Sequence, residues 1–115
     1  MNRLYDPVGG QFVANRDAYL KHAEMAATVI KQHGAIGIVE CWGDDVPDGK
    51  LTSFPLAVQC QADETVVCSY ITWPSRAARD AGMKKVMDDE RMKGMEMPFD
   101  GKRMIFGGFR VILQT

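Results

Sequence analysis

Few residues in this chain combine a reactive type with a suggestive spacing, and Glu40 is first among them. It lies in the run from Ile36 to Trp42, where alternation puts Ile38, Glu40 and Trp42 on one face and Val39 and Cys41 on the other. A carboxylate among apolar neighbours loses hydration, so its proton affinity rises and it can act as a general base near neutral pH. The bland alternative, which the residue types favour, is a structural ion pair with Arg79, Arg103 or Arg110. His22 is the second candidate base, placed to point into a cleft between helix and sheet. It sits eleven residues from His33 on one helix. That spacing separates their backbones by about 16 Å, too far to share a metal. His33, beside Gly34, is expected to meet the last carbonyls of the helix.

Other patterns carry less. Trp42, Trp73 and Tyr70 offer stacking surface for an aromatic or apolar ligand, with Arg79 and Arg103 as charged neighbours. Asp44, Asp45, Asp48 and Gly49 suggest calcium, but the third loop position would be Val46 and the twelfth Pro55, so an exposed acidic turn is the better reading. Methionines 83, 87, 92, 95 and 97 cluster without His or Cys, which favours flexible core filling, or a lid over a cleft, above copper binding. The cysteines, Cys41, Cys60 and Cys68, are odd in number and lack metal-ligand spacing. Cys41 and Cys68 fall inside strand-like runs, where a reduced thiol serves as a small hydrophobe. There is no phosphate-binding glycine loop, nucleophile elbow or paired-histidine zinc motif, so no cofactor or metal is expected.

The elements that must position these residues form one domain over residues 1–115. Its 46% hydrophobic and 25% charged composition is that of an ordinary globular protein. Net charge is -1 and no Lys/Arg run exceeds two, so nucleic-acid binding is not expected. No apolar run reaches membrane-spanning length and no leader pattern opens the chain, which predicts a cytoplasmic protein with no membrane partner.

Leu4 to Val13 reads as a bulged or late strand, interrupted by Pro7 and Gly9-Gly10. Asn15 as N-cap and Gly34 as stop bracket a helix with Tyr19, Ala23, Ala26 and Ile30 at helical spacing and Val29 alongside. Leu51 to Gln59 reads as a short addition to the sheet, broken at Pro55. Thr65 to Trp73 is a strand with Val67, Ile71 and Trp73 on one face and Val66, Cys68 and Tyr70 on the other. Ser75 caps a second helix reaching about Met87, and Asp88 caps a further short turn. After the Asp100-Gly101 corner, Met104 to Leu113 reads as a closing strand apolar on both faces. Within it, Gly107-Gly108 marks a bulge or, as favoured here, a close approach to the backbone.

The order strand, helix, strand, strand, helix, strand is the split βαβ arrangement, an α+β ferredoxin-like plait with an antiparallel sheet. Helices cover one sheet face. The other carries large apolar residues, which predicts a homodimer packed through the sheet faces.

Two segments, Glu40-Cys41-Trp42-Gly43-Asp44-Asp45-Val46-Pro47-Asp48-Gly49-Lys50 and Met97 to Phe109, resemble the signatures of the YbaA-like bacterial domain-of-unknown-function family. Asp63-Glu64-Thr65-Val66-Val67, Trp73-Pro74-Ser75 and Arg79-Asp80-Ala81 fit the same pattern, and the resemblance spans roughly residues 15 to 113. It implies a dimeric α/β barrel, in a superfamily that also holds small monooxygenases and stress-related proteins, and brings no activity with it. Some members carry a label connecting them with signal-recognition-particle RNA, which the charge balance here does not support. The family's opening strand resembles Tyr-Val-Asp-Gly-Phe, whereas this chain has Leu4-Tyr5-Asp6-Pro7.

Three functions follow as expectations. The first is binding of a small apolar or aromatic molecule in a cleft between sheet and helices. The second is a cofactor-independent oxygenase or isomerase using Glu40 or His22, and the third is a protein-interaction module.

Overall fold

The computed structural model describes residues 2–4, 12–94 and 101–115. Three strands form an antiparallel sheet in the order β1-β3-β2, where β1 is Asn2–Leu4, β2 Gly37–Trp42 and β3 Thr65–Thr72. Among the described residues, two long helices, α1 (Phe12–Gln32) and α3 (Arg76–Asp88), one short helix, α2 (Phe54–Ala57), and a 3-10 turn, Gly101–Arg103, complete the regular elements. The protein is thus α+β.

The β2–β3 register pairs Ile38 with Ile71, Glu40 with Ser69 and Trp42 with Val67. Because opposite residues share a face, these six side chains lie together, as the alternation requires. They face the helices. Tyr19, Ala23 and Val67 form one buried cluster, against which Trp42 packs. Val29, Ile30, Ala35 and Val86 form another, flanked by Ile38, Ile71, Trp73, Met25, Ala26 and Met92. The helical spacing of Tyr19, Ala23, Ala26 and Ile30 is therefore a core stripe.

Chain ends of the helices follow local chemistry. Gly34 adopts φ 114°, and the bonds Gly34 N to Lys31 O and Ala35 N to Ile30 O complete a Schellman stop. Ser75 caps α3 by accepting from the Ala78 amide at 3.1 Å. Gly82 has no room for a side chain, since a Cβ would enter the Trp73 ring and the His33 carbonyl oxygen. Trp73 is thereby locked beneath α3.

Several expectations change. Helix α1 starts at Phe12, so Phe12, Val13 and Asn15 are helical and the expected strand over Leu4–Val13 keeps only Leu4 among the described residues. Good helix formers around Asn15, notably Ala14, Arg16 and Ala18, outweigh its capping preference. The rest of that expected strand lies outside the described residues, as do Met95 and Met97. Leu51–Gln59 holds α2 instead of a strand, because Ser53 caps it through the Leu56 amide and Pro55 is tolerated in a first helical turn. Asp89, one residue beyond the expected Asp88, organises the turn after α3, its carboxylate accepting from the Arg91 amide at 3.0 Å.

The expected closing strand is also different. Residues 104–115 form no ladder among the described residues, and Phe106, Phe109 and Ile112 are 87%, 94% and 93% exposed. A strand needs a second backbone to satisfy its amides and carbonyls. The Arg79 guanidinium lies against Gly108, so the expected close approach to the backbone is found at that glycine.

Candidate functional site

The helix-facing side of the sheet holds one polar island. Glu40, midway along β2, receives a hydrogen bond from the Tyr19 hydroxyl at 2.6 Å and another from the Ser69 hydroxyl at 2.5 Å, both on Oε2. Helix α1 brings Tyr19 down onto the sheet, and the register brings Ser69 directly opposite Glu40. His22, one turn beyond Tyr19, stands close enough to sense the Glu40 charge. Burial lowers the His22 pKa below its ordinary value, and the Glu40 charge partly offsets this. Trp42 borders the island, its ring centroid 6.3 Å from that of Tyr19, with the Arg16 guanidinium 5.7 Å from the Trp42 centroid.

This arrangement corrects the expected environment of Glu40. The carboxylate is exposed, not sealed among apolar groups, and hydroxyls hold it where an arginine was favoured. Two of the arginines are engaged elsewhere. Arg79 bonds Asp80 at 3.0 Å, and Arg103 forms a fork with Glu64 at 2.8 and 3.0 Å. Glu64 is the one buried charged residue of the described core, its side chain 0% exposed, and the Gln61 amide donates to it as well. Arg103 is therefore a structural partner of buried Glu64.

The aromatic set separates too. Trp42 borders the polar island, Trp73 is core, and Tyr70 lies on the opposite sheet face, where it is 61% exposed. The register explains this, since Tyr70 pairs with Val39 and cannot share a face with Trp42. No single cleft contains all three. A cavity of about 360 Å³ lies instead at the end of the sheet, lined by Gly43, Asp44, Val46, Cys60, Glu64 and Val66 among others. Burial and the Asp63 charge raise the Cys60 pKa there, which keeps the thiol protonated.

His33 departs from its expected contact as well, because its Nε2 meets Asp89 Oδ2 at 2.9 Å. Cys41 and Cys68 lie on strands, as expected, Cys41 exposed and Cys68 half-buried. Sequence reasoning singled out Glu40, His22 and Trp42, which the fold brings together. It missed Ser69 and Arg16 and read Tyr19 only as core. Ser69 was within reach, because alternation from Val67 and Ile71 puts it on the Glu40 face. Nothing local links Glu64 to Arg103, 39 positions later.

No helix among the described residues is long and apolar enough to cross a membrane. Residues 12–101 match the family model described as Protein of unknown function (DUF1428). The chain is 54% identical over 100 residues to the Uncharacterized protein YbaA of Escherichia coli strain K12, covering 85% of this chain and 86% of that protein. The same identity and coverage hold for Uncharacterized protein YbaA of Escherichia coli O157:H7 and of Shigella flexneri. On the extent of both matches, this chain belongs to the DUF1428 family of proteins of unknown function.

Proposed function

We propose that the protein binds a small aromatic or apolar molecule beside Trp42, with Glu40 as its polar anchor. The observation that carries this reading is the solvent-accessible Glu40 carboxylate, held in place by the Tyr19 and Ser69 hydroxyls at the border of an aromatic surface. Trp42 supplies a stacking face, and Arg16 a positive charge suited to an acidic substituent. Tyr70, Trp73 and Arg103 are left out of this site. Arg79, whose guanidinium lies against Gly108, is left out as well.

A second reading uses the same residues as an acid–base pair in an isomerase-type proton transfer. It is favoured by one further observation, that burial keeps His22 neutral beside a carboxylate. A neutral imidazole can take a proton, and Glu40 can hold the resulting charge.

We place this site in a ferredoxin-like plait that dimerises through the outer sheet face, in the cytoplasm. The antiparallel order β1-β3-β2, with α1 and α3 packed on one sheet face, supports that reading. Three free cysteines suit a reducing compartment.

The test is a thermal-shift screen of aromatic acids, quinols, flavins and haem. A ligand that raises Tm in a dose-dependent way supports the site if Glu40→Gln and Trp42→Ala abolish the shift. A shift that survives both variants overturns it. Solvent-deuterium incorporation into the hit, lost in Glu40→Gln, would establish proton transfer, and its absence would leave binding alone.

A further inference from the structure

The outer sheet face carries a second chemical cluster that the proposed function does not use. Cys41 on β2 and Cys68 on β3 are register partners, so their side chains rise from the same face side by side. Both are free thiols, one exposed and one half-buried. Tyr70 stands next to Cys68. It lies two residues along β3 and so on the same face.

The ladder defines what this pair can do. Gly43 N donates to Val66 O at 2.9 Å, which makes Gly43 and Val66 a hydrogen-bonded pair. Alternation from there makes Trp42–Val67 a close pair and Cys41–Cys68 a wide one. In a wide pair the Cα atoms stand about 5.5 Å apart. Their Cβ atoms then lie near the upper end of the roughly 4.5–5.5 Å range for opposite residues. An unstrained disulfide needs a Cβ separation of about 3.5–4.5 Å, so direct S–S bonding is disfavoured. One atom bridging the two sulfurs fits better. At about 2.3 Å from each sulfur, a metal ion spans roughly 4.5 Å.

The donor count selects the metal. Among the described residues no group of three His, Cys, Asp or Glu side chains could hold an ion. Zinc, which takes four ligands, is therefore poorly served. A soft monovalent cation is content with two thiolates in line, and thiolate ligands select Cu(I) among biological metals.

We propose that Cys41 and Cys68 form a two-coordinate site for Cu(I). Binding releases one proton from each thiol and leaves a bis-thiolate complex of net charge -1, with no change in the oxidation state of metal or sulfur.

The experiment is an anaerobic competition in which protein withdraws Cu(I) from the coloured chelator bicinchoninate. Wild type and Cys60→Ser should each withdraw one equivalent per chain, whereas Cys41→Ser and Cys68→Ser should withdraw none. Withdrawal that persists in Cys41→Ser or Cys68→Ser, or that vanishes in Cys60→Ser, overturns the site. Wild-type protein gives a control that needs no mutation. Bound Cu(I) should slow alkylation of Cys41 and Cys68 by iodoacetamide and leave Cys60 unaffected, and rates at Cys41 and Cys68 that Cu(I) does not change contradict the proposal. The pair lies on the face assigned above to the dimer, so light scattering accompanies the titration. A Cu(I)-binding monomer removes the dimer and keeps the metal site.

Discussion

The two faces of the sheet are made from the same three strands and differ only in which alternate residues they present. The inner face takes Ile38, Trp42, Val67 and Ile71 and fills the space against α1 and α3. Within it, Glu40 is the acidic exception, tied to Tyr19 and Ser69. The outer face takes Val39, Cys41, Cys68 and Tyr70, and leaves Val39 and Tyr70 more than half exposed. Register alone separates a packed surface with one polar site from an open surface with two thiols. Substitutions should therefore behave differently on the two sides: inner ones should cost stability or ligand, and outer ones assembly or metal.

The largest stability effect should come from the ion pair at the end of the sheet. Arg103→Met leaves Glu64 buried without its fork, and should destabilise by about 3–5 kcal/mol in denaturant unfolding. Adding Glu64→Leu to that variant should restore much of the loss, since no buried charge then remains. Next comes the inner face, where Gly82→Ala forces a methyl into Trp73 and the His33 carbonyl. A loss of about 1–3 kcal/mol is expected, with a lower Tm. On the outer face, Tyr70→Ala should change Tm little, yet Val39→Asp should convert the proposed dimer to monomer by light scattering.

The smallest effects are electrostatic. His22 has a lowered folded-state pKa, so its neutral form favours folding above the ordinary histidine value, about 6.5. Stability should fall as pH drops below that value, because the unfolded chain binds the proton more readily. His22→Gln should flatten this slope in a Tm series. Asp89 behaves similarly at lower pH. The Arg91 and His33 hydrogen bonds hold its carboxyl well below the usual range. Its contribution is present above about pH 4 and declines as acid protonates the unfolded chain. Asp89→Asn should remove that part of the acid sensitivity.

Much of this comparison was legible in the sequence because it depends on local periodicity. Alternation placed Glu40 and Trp42 opposite Val39 and Cys41, helical spacing identified Tyr19, Ala23 and Ile30, and Ser75 and Gly34 marked helix ends. Long-range choices were not legible. Arg103 was available to any carboxylate, and only the folded chain assigns it to Glu64. Pro55 forbids a central strand and permits a first helical turn, so local rules alone did not decide for α2. The segment after Met104 has strand composition, but pairing depends on a second backbone that composition does not specify. Tyr70 and Trp73 shared an aromatic character with Trp42, and only facing and depth separated the three.

The most direct test asks which face binds a ligand. A thermal-shift hit should be titrated against wild type, Glu40→Gln, Trp42→Ala and Tyr70→Ala under identical conditions. The account predicts that the shift disappears in the first two variants and persists in Tyr70→Ala. A shift that persists in Glu40→Gln and Trp42→Ala but disappears in Tyr70→Ala would put the site on the outer face and contradict the account.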